Sequence, residues 1–238
     1  MLVKNWMTED IITIKTDESV ATAVNLFRVH DLHILPVVHG DSVVGIISEN
    51  DIRQETDIFS SSSTAQTLDK TVLEKAVSEF MVTDVNTVFF DHTIEETAGI
   101  FFKNNISSVP VIDHHHRLVG VISHTDLLRA IVTFTGAGRR GILFAFNVSD
   151  RKGAIQELID SIHNYGGRIA SIFTTEELAP KDHCRAYFRL YGIDRFKLRV
   201  LTQEMKKKAS LIYMKDRHEI RKEYTQKQPA QSEGMNLL

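Results

Sequence analysis

The spacing of apolar residues changes along the chain and predicts two kinds of element. Residues 20–27 and 94–101 carry apolar or small side chains at positions i, i+3, i+4 and i+7. This spacing places them on one face of a helix, so both stretches predict one-sided helices. Thr93 and Glu96 form the sequence pattern of a capping box, which satisfies amide groups in the first turn of the second helix.

Each predicted helix is followed by two short runs rich in β-branched residues, which predict strands. The runs are 35–38, 43–47, 109–112 and 118–122. Polar residues separate the two runs of each pair and predict a hairpin turn. Another amphipathic segment begins at Ser48 and again at Ser123, so the order β-α-β-β-α is predicted twice.

The duplication is also visible in the residues themselves. The two similar segments are Met7 to Arg53 and Met81 to Arg129, and their matched residues are offset by 74 up to Val37 and, after one inserted residue, by 75 from Val44 onward. The recurring residues of the first copy include Met7, Asp10, Thr13, Asp17, Phe27, Pro36, Val37, Val44, Gly45, Ile47, Ser48 and Asp51. One copy is too small to bury its own sheet face well, so we expect the two copies to pack together.

The repeat resembles tandem CBS domains, a pair of which forms a Bateman module. The resemblance rests on the Pro-Val strands at Pro36 and Pro110 and on two strand-to-helix motifs. The motifs are Gly45-Ile-Ile-Ser-Glu-Asn-Asp51 and Gly120-Val-Ile-Ser-His-Thr-Asp126. The resemblance implies a mixed α/β fold for this half of the chain and adenosine nucleotides as ligands.

A serine at a helix N-cap with an aspartate three residues later combines a hydroxyl, a carboxylate and free amide groups at one positive helix end. The carboxylate can accept two hydrogen bonds from a ribose cis-diol, while the hydroxyl and amides suit phosphate oxygens. The family pattern assigns Ser48 and Asp51 to one site and Ser123 and Asp126 to the other. Alternatively, each pair is only a capping box, which contributes about 1 kcal/mol without any ligand.

The resemblance extends these two sites to residues that usually line adenine and ribose. Those residues are Thr13, His33, Ile34, Leu35, Thr87, Ser107, Ser108 and Val109. Candidate phosphate contacts are Arg53, His124, Arg129, Arg139 and Arg140. The implied ligand is AMP, ADP, ATP or S-adenosylmethionine, bound in a regulatory role.

The second half of the chain shows a different order of elements. Strand-like runs at 141–148, 168–174, 187–191 and 211–214 are interrupted by helical patterns at 155–162 and 195–208, which gives the ferredoxin-like order β-α-β-β-α-β. With the turn 165–169 (Tyr-Gly-Gly-Arg-Ile), this half resembles an ACT domain, a module that often binds amino acids at dimer interfaces. The alternative is a domain that only dimerises or relays a signal. The expected apolar side of the second helix is Phe196, Val200, Leu201 and Met205.

The predicted organisation is a CBS repeat over 1–60, a linker with a helix over 61–78, a second repeat over 79–135, an ACT-like domain over 136–216 and a flexible tail over 217–238. This order is similar to that of the acetoin-utilisation accessory proteins of bacteria. The expected fold class is α/β (α+β), with a tandem CBS-domain pair followed by a ferredoxin-like ACT-type domain of order β-α-β-β-α-β.

Composition and charge add to this picture. The 238 residues are 42% hydrophobic and 25% charged, and no apolar run approaches the roughly 18 to 20 residues of a bilayer span, so we expect a cytoplasmic protein. The single cysteine, Cys184, excludes an internal disulfide and a cysteine-cluster zinc site. The net charge of −3 divides into −10 for residues 1–135 and +7 for the rest, which permits attraction between subunits or an acidic partner.

Two further motifs suggest chemistry that their context disfavours. Gly136 to Gly141 fits the spacing G-x-G-x-x-G, but a strand-like run follows where a dinucleotide fold needs a helix, so we interpret this segment as a hinge. His114, His115 and His116 are consecutive in a predicted hairpin loop, where they rarely converge on one metal ion, so a solvated turn is favoured.

Together these features lead to the hypothesis of a non-enzymatic regulatory sensor. An adenosine-containing ligand would enter the cleft between the paired repeats, and the ACT-like domain would transmit the change to a homodimer interface or a protein partner. The alternatives are a ligand-free dimerisation scaffold and a nucleic-acid-binding regulator that uses the basic second half.

Overall fold

The computed structural model describes residues 1–55, 70–138 and 141–216. The predictions for Arg139 and Arg140, for the linker up to residue 69 and for the tail at 217–238 therefore lie outside the described residues. The chain divides into two compact units, Met1–Ala130 and Ile131–Leu238. In the described residues, no helix combines the length and the apolar character that a membrane crossing requires.

The first unit contains the duplicated order predicted from the sequence. The first copy has β1 (Ile14–Lys15), α1 (Val20–His30), β2 (Ile34–His39), β3 (Ser42–Ser48) and α2 (Glu49–Glu55). After the single turn α3 (Lys70–Leu73), the second copy has β4 (Val88–Phe89), α4 (Ile94–Asn104), β5 (Ser108–Ile112), β6 (Leu118–Ser123) and α5 (His124–Phe134). Each copy forms a three-stranded sheet in which the first strand is parallel, and the third antiparallel, to the middle one.

Equivalent helices of the two copies begin and end in the same way. The Ser19 side chain caps α1 by accepting a hydrogen bond from the Thr22 amide at 3.2 Å. The capping box predicted for α4 is confirmed, since Thr93 Oγ1 accepts from the Glu96 amide at 3.1 Å and the Glu96 carboxylate accepts from the Thr93 amide at 2.8 Å. Each helix buries the face that the apolar spacing predicted, with Phe27 and Phe101 in the core.

The segment that precedes each copy pairs with the other copy. The Thr8 amide donates to the Val121 carbonyl at 2.9 Å, so the N-terminal segment lies on the second sheet. In the same way the Val82 amide donates to the Ile46 carbonyl of the first sheet at 2.9 Å. This exchange joins the two copies through backbone hydrogen bonds as well as apolar packing.

Two glycines make the exchanged contacts possible. A Cβ built on Gly45 would lie 2.6 Å from Sδ of Met81, and one built on Gly120 would lie 2.5 Å from Sδ of Met7. Because a real Cβ does not approach another atom so closely, both positions leave room only for a hydrogen. The recurrence of these methionines and glycines in both copies thus reflects one reciprocal contact made twice.

The second unit has the predicted element order β-α-β-β-α-β. Its elements are β7 (Ile142–Ser149), α6 (Ala154–Asn164), β8 (Arg168–Thr175), β9 (His183–Tyr191), α7 (Arg195–Lys208) and β10 (Ser210–Asp216). They form one antiparallel sheet in the order β10-β7-β9-β8, and its core combines apolar residues of the sheet with residues of both helices. The segment after Gly136 thus leads into strand β7, as predicted.

The predicted apolar side of α7 is wrong at two of its four positions. Leu201 and Met205 are buried, but Phe196 is 93% exposed and Val200 is 49% exposed. Nine residues separate Phe196 from Met205, which at about 100° per residue places them on opposite faces of the helix. Leu198 instead completes the packed face.

The histidine loop between β5 and β6 is organised by Asp113. Its Oδ1 accepts the amide hydrogens of His115 and Arg117, both at 2.9 Å, and its Oδ2 lies 2.7 Å from Nη2 of Arg117. The backbone hydrogen bond from Arg117 is the main cause that lowers the pKa of Asp113 to about 2. His114 Nε2 lies 3.2 Å from the Asp91 carboxylate. Within the described ranges, no three His, Cys, Asp or Glu side chains are grouped to hold a metal ion.

Candidate ligand sites of the paired repeats

The Ser48 and Asp51 pair lies where β3 ends and α2 begins. Asp51 Oδ2 accepts hydrogen bonds from the Ser48 amide at 2.7 Å and from the Ser48 hydroxyl at 2.6 Å. In return the Asp51 amide donates to Ser48 Oγ at 3.2 Å. The second carboxylate oxygen, Oδ1, makes no hydrogen bond or ion pair within the described part of the chain.

The Ser123 and Asp126 pair repeats this geometry between β6 and α5. Asp126 Oδ2 accepts from the Ser123 amide at 2.9 Å and from its hydroxyl at 2.7 Å. The capping box, which the sequence offered as the alternative to a ligand site, is therefore present in both copies. It does not exclude a ligand, because it uses only one of the two carboxylate oxygens.

Arg129 distinguishes the second pair from the first. Its Nη2 lies 3.0 Å from Asp126 Oδ1, so the oxygen that remains open in Asp51 is ion-paired in Asp126. The same Nη2 donates to the Trp6 carbonyl at 2.7 Å, and the guanidinium lies 5.9 Å from the centre of the Trp6 ring. Asp126 is 8% exposed as a result.

A first cavity of about 600 Å³ opens in front of the Ser48 and Asp51 pair. Eight residues predicted for the two sites line it: His33, Ile34, Ser48, Asp51, Arg53, Ser107, Ser108 and Val109. The cavity therefore combines the serine and aspartate of the first copy with the segment 107–109 of the second copy. Arg53, predicted as a phosphate contact, lies on its wall with Nη2 at 3.3 Å from the Glu49 carboxylate.

A second cavity of about 210 Å³ lies in front of the Ser123 and Asp126 pair. The predicted residues on its wall are His33, Ile34, Ser108, Ser123 and Asp126. His33, Ile34 and Ser108 line both cavities, so the two sites are neighbours that share part of their walls. The smaller volume leaves less room here than in the first cavity.

Five predicted site residues line neither cavity. Thr13 and Thr87 are half-buried just before β1 and β4, and Leu35 is fully buried in the core of the first copy. The His124 ring lies 5.0 Å from the ring of Phe101, and Arg129 forms the ion pair with Asp126. The contribution of these five residues to ligand binding stays a prediction.

The sequence interpretation missed half of the residues that line the first cavity. These are Ile46, Glu49, Asn50, Val82, Asp84, Asn86, Asn105 and Ile106. Asp84 is the counterpart of Asp10 in the repeat, and Asp10 lines the second cavity. The recurrence of an aspartate at this position was a usable signal, but only the exchange of segments between copies places it opposite the Ser48 and Asp51 pair.

Comparisons with known proteins identify the family of the paired repeats. The CBS domain family matches residues 3–56 and 77–133. A CBS domain-containing protein of Dictyostelium discoideum is 31% identical over 134 residues, which cover 56% of this chain and 92% of that protein. This chain belongs to the CBS domain-containing proteins.

Solved structures of CBS pairs are also similar to this chain. The CBS domain pair of protein MJ0100, crystallised with 5′-methylthioadenosine and S-adenosyl-L-methionine, is 28% identical with a TM-score of 0.47, covering 58% of this chain and 98% of that one. AcuB of Vibrio cholerae, a candidate acetoin utilization protein, is 24% identical with a TM-score of 0.47, covering 56% and 90% of the two chains.

Proposed function

We propose that this protein is a regulatory sensor that binds one adenosine-containing ligand in the first cavity. The observation that carries the proposal is the Asp51 carboxylate, which lines the cavity, is oriented by Ser48 through Oδ2 and has no partner for Oδ1 among the described residues. A ribose presents two adjacent hydroxyl donors, and a carboxylate held in place accepts such donors through charge-assisted hydrogen bonds.

The size of the first cavity supports this assignment. Small-molecule sites usually occupy about 300 to 1,000 Å³, and the first cavity falls inside this range whereas the second falls below it. Asp126 in the second copy already has an ionic partner in Arg129, so a ligand would have to replace that contact. We therefore assign the ligand to the first cavity.

The second unit is proposed to be an ACT-like domain that transmits the signal. Its antiparallel sheet with two helices has the order β-α-β-β-α-β, which supports the assignment. In this proposal, the ligand changes the packing of the repeats and the second unit passes the change to a second copy or to a partner. Transmission requires that the ligand bind the two arrangements with different affinities.

The experiment is a thermal-shift and calorimetric screen of the full chain against AMP, ADP, ATP, S-adenosylmethionine and NAD. A true ligand at about 100 times its dissociation constant stabilises the fold by roughly 2.7 kcal/mol. We expect at least one compound to shift the unfolding temperature and the Asp51→Asn variant to lose that shift. If no compound shifts it, the paired repeats act as a ligand-free scaffold.

A further inference from the structure

The charge on the wall of the first cavity carries information about the ligand. Three carboxylates line it, from Glu49, Asp51 and Asp84. Among the described residues that line it, Arg53 holds the only permanent positive charge, and its guanidinium is engaged with Glu49 at 3.3 Å. The wall therefore has an excess of negative charge.

The end of α2 that faces the cavity adds no anion site. This helix has only seven residues, and its first turn already carries Glu49 and Asp51. Those carboxylates occupy the region where a helix amino end would otherwise favour a phosphate. The adjoining sequence 56–69 contains Asp57 and Asp69 and no lysine or arginine, so it contributes no compensating cation.

Besides the His33 imidazole, the polar part of the wall also carries neutral groups. The amides of Asn50, Asn86 and Asn105 and the hydroxyls of Ser107 and Ser108 lie on the same wall. Amides and hydroxyls both donate and accept hydrogen bonds, which suits purine nitrogens and sugar hydroxyls. The cavity is thus complementary to a nucleoside and not to a polyphosphate.

We infer that the first cavity selects adenosine derivatives whose 5′ substituent is neutral or positively charged over those that carry a di- or triphosphate. This inference rests on the proposed function, because it concerns the same site. A triphosphate brings several negative charges near three carboxylates, whereas a thioether adds none and a sulfonium with an amino group adds attraction.

The test compares the affinities of the full chain for 5′-methylthioadenosine, S-adenosylmethionine, AMP, ADP and ATP by calorimetry at low salt, without divalent cations. We expect ADP and ATP to bind at least about tenfold more weakly than 5′-methylthioadenosine. This difference should narrow as sodium chloride rises, because salt screens charge repulsion. Equal or tighter binding of ATP would overturn the inference.

A charge-neutral variant sharpens the test. Asp84→Asn removes one carboxylate from the wall, so the affinity for ATP should rise several-fold relative to that for 5′-methylthioadenosine. Asp17→Asn makes the same change at an exposed position that lines neither cavity and serves as the matched control. An unchanged ratio for Asp84→Asn would overturn the charge argument. Failure of every adenosine compound to bind would instead overturn the proposed function.

Discussion

The two copies of the repeat share one local geometry and differ in what surrounds it. In both, a serine caps a helix and is joined to an aspartate by three hydrogen bonds, whose lengths are 2.7, 2.6 and 3.2 Å in the first copy and 2.9, 2.7 and 3.3 Å in the second. In the first copy the remaining carboxylate oxygen has no partner among the described residues, and Asp51 lines a cavity of about 600 Å³. In the second copy it is ion-paired with Arg129 beside a cavity of about 210 Å³. An identical motif is therefore open in one copy and internally satisfied in the other.

A single position accounts for part of this difference. Arg129 lies three residues after Asp126 on α5, and at the offset of 75 its counterpart after Asp51 is Gln54. A glutamine has no charge with which to form an ion pair. The comparison teaches that a duplicated motif preserves a cap while a neighbouring substitution decides whether the same carboxylate is available to a ligand.

The largest effect should follow from removing the aspartate of each copy in turn. Asp51→Ala should weaken binding of an adenosine ligand by about 10- to 100-fold, because a charge-assisted hydrogen bond contributes about 1.5 to 3 kcal/mol. Asp126→Ala should leave the affinity within a few-fold and instead lower the free energy of unfolding by about 1 to 3 kcal/mol, since it removes the carboxylate that accepts from Ser123 and ends the ion pair with Arg129. Calorimetry and urea unfolding measure the two effects. Equal losses of affinity in both variants would contradict the assignment to one cavity.

Substitution of the glycine that contacts the exchanged segment should lower the free energy of unfolding by a similar amount in both copies. Gly45→Ala and Gly120→Ala should each destabilise the fold by about 1 to 3 kcal/mol, because the added methyl overlaps Met81 or Met7. Trimming the facing methionine to alanine should make the double variant less unstable than the sum of the two single changes. Gly99→Ala is the control, because its Cβ meets nothing within 4 Å and it should stabilise α4 by about 0.5 to 1 kcal/mol. Urea unfolding decides between additive and coupled behaviour.

Replacing Arg129 with the glutamine found at the equivalent position of the first copy should make the second site more accessible to ligand. Arg129→Gln releases Asp126 Oδ1, so we expect a second, weaker binding event and a stability loss of about 1 kcal/mol or less, because this arginine is largely exposed. Calorimetric stoichiometry measures the outcome. Arg117→Gln is the control, because Arg117 also forms an ion pair but lines neither cavity. A stoichiometry that stays at one would mean that cavity size, and not the ion pair, keeps the second site closed.

The smallest effect concerns the hairpin turns, where the copies also differ. The first turn uses Gly40 with φ of +62°, whereas the second depends on Asp113. The pKa of Asp113 is lowered from 3.8 to about 2, so its stabilisation is present above pH 3.8 and is lost as the pH falls toward 2. Asp113→Asn should therefore be less stable than the parent near neutral pH and equal to it near pH 2. Unfolding curves measured between pH 7 and pH 2 test this prediction. A stability difference between the two proteins that stays constant over this range would contradict it.

The sequence predicted most elements because their signals are local. The spacing of apolar residues in α1 and α4, the capping box at Thr93 and the β-branched runs of the hairpins depend only on neighbours along the chain. The local pattern gave a wrong prediction on α7, where it assigned Phe196 and Met205 to the same apolar face. The two residues lie on opposite faces of the helix, and only Met205 is buried.

The sequence by itself determined the duplication, the two serine and aspartate caps and the order of elements in the second unit. Only the tertiary structure decided which cap faces an open cavity, because that depends on segments far apart in sequence. The segment before each copy pairs with the other copy, which brings Asp84 opposite Asp51 and Trp6 against Arg129. Such contacts arise from packing between distant parts of the chain, so the spacing of residues along the sequence does not predict them.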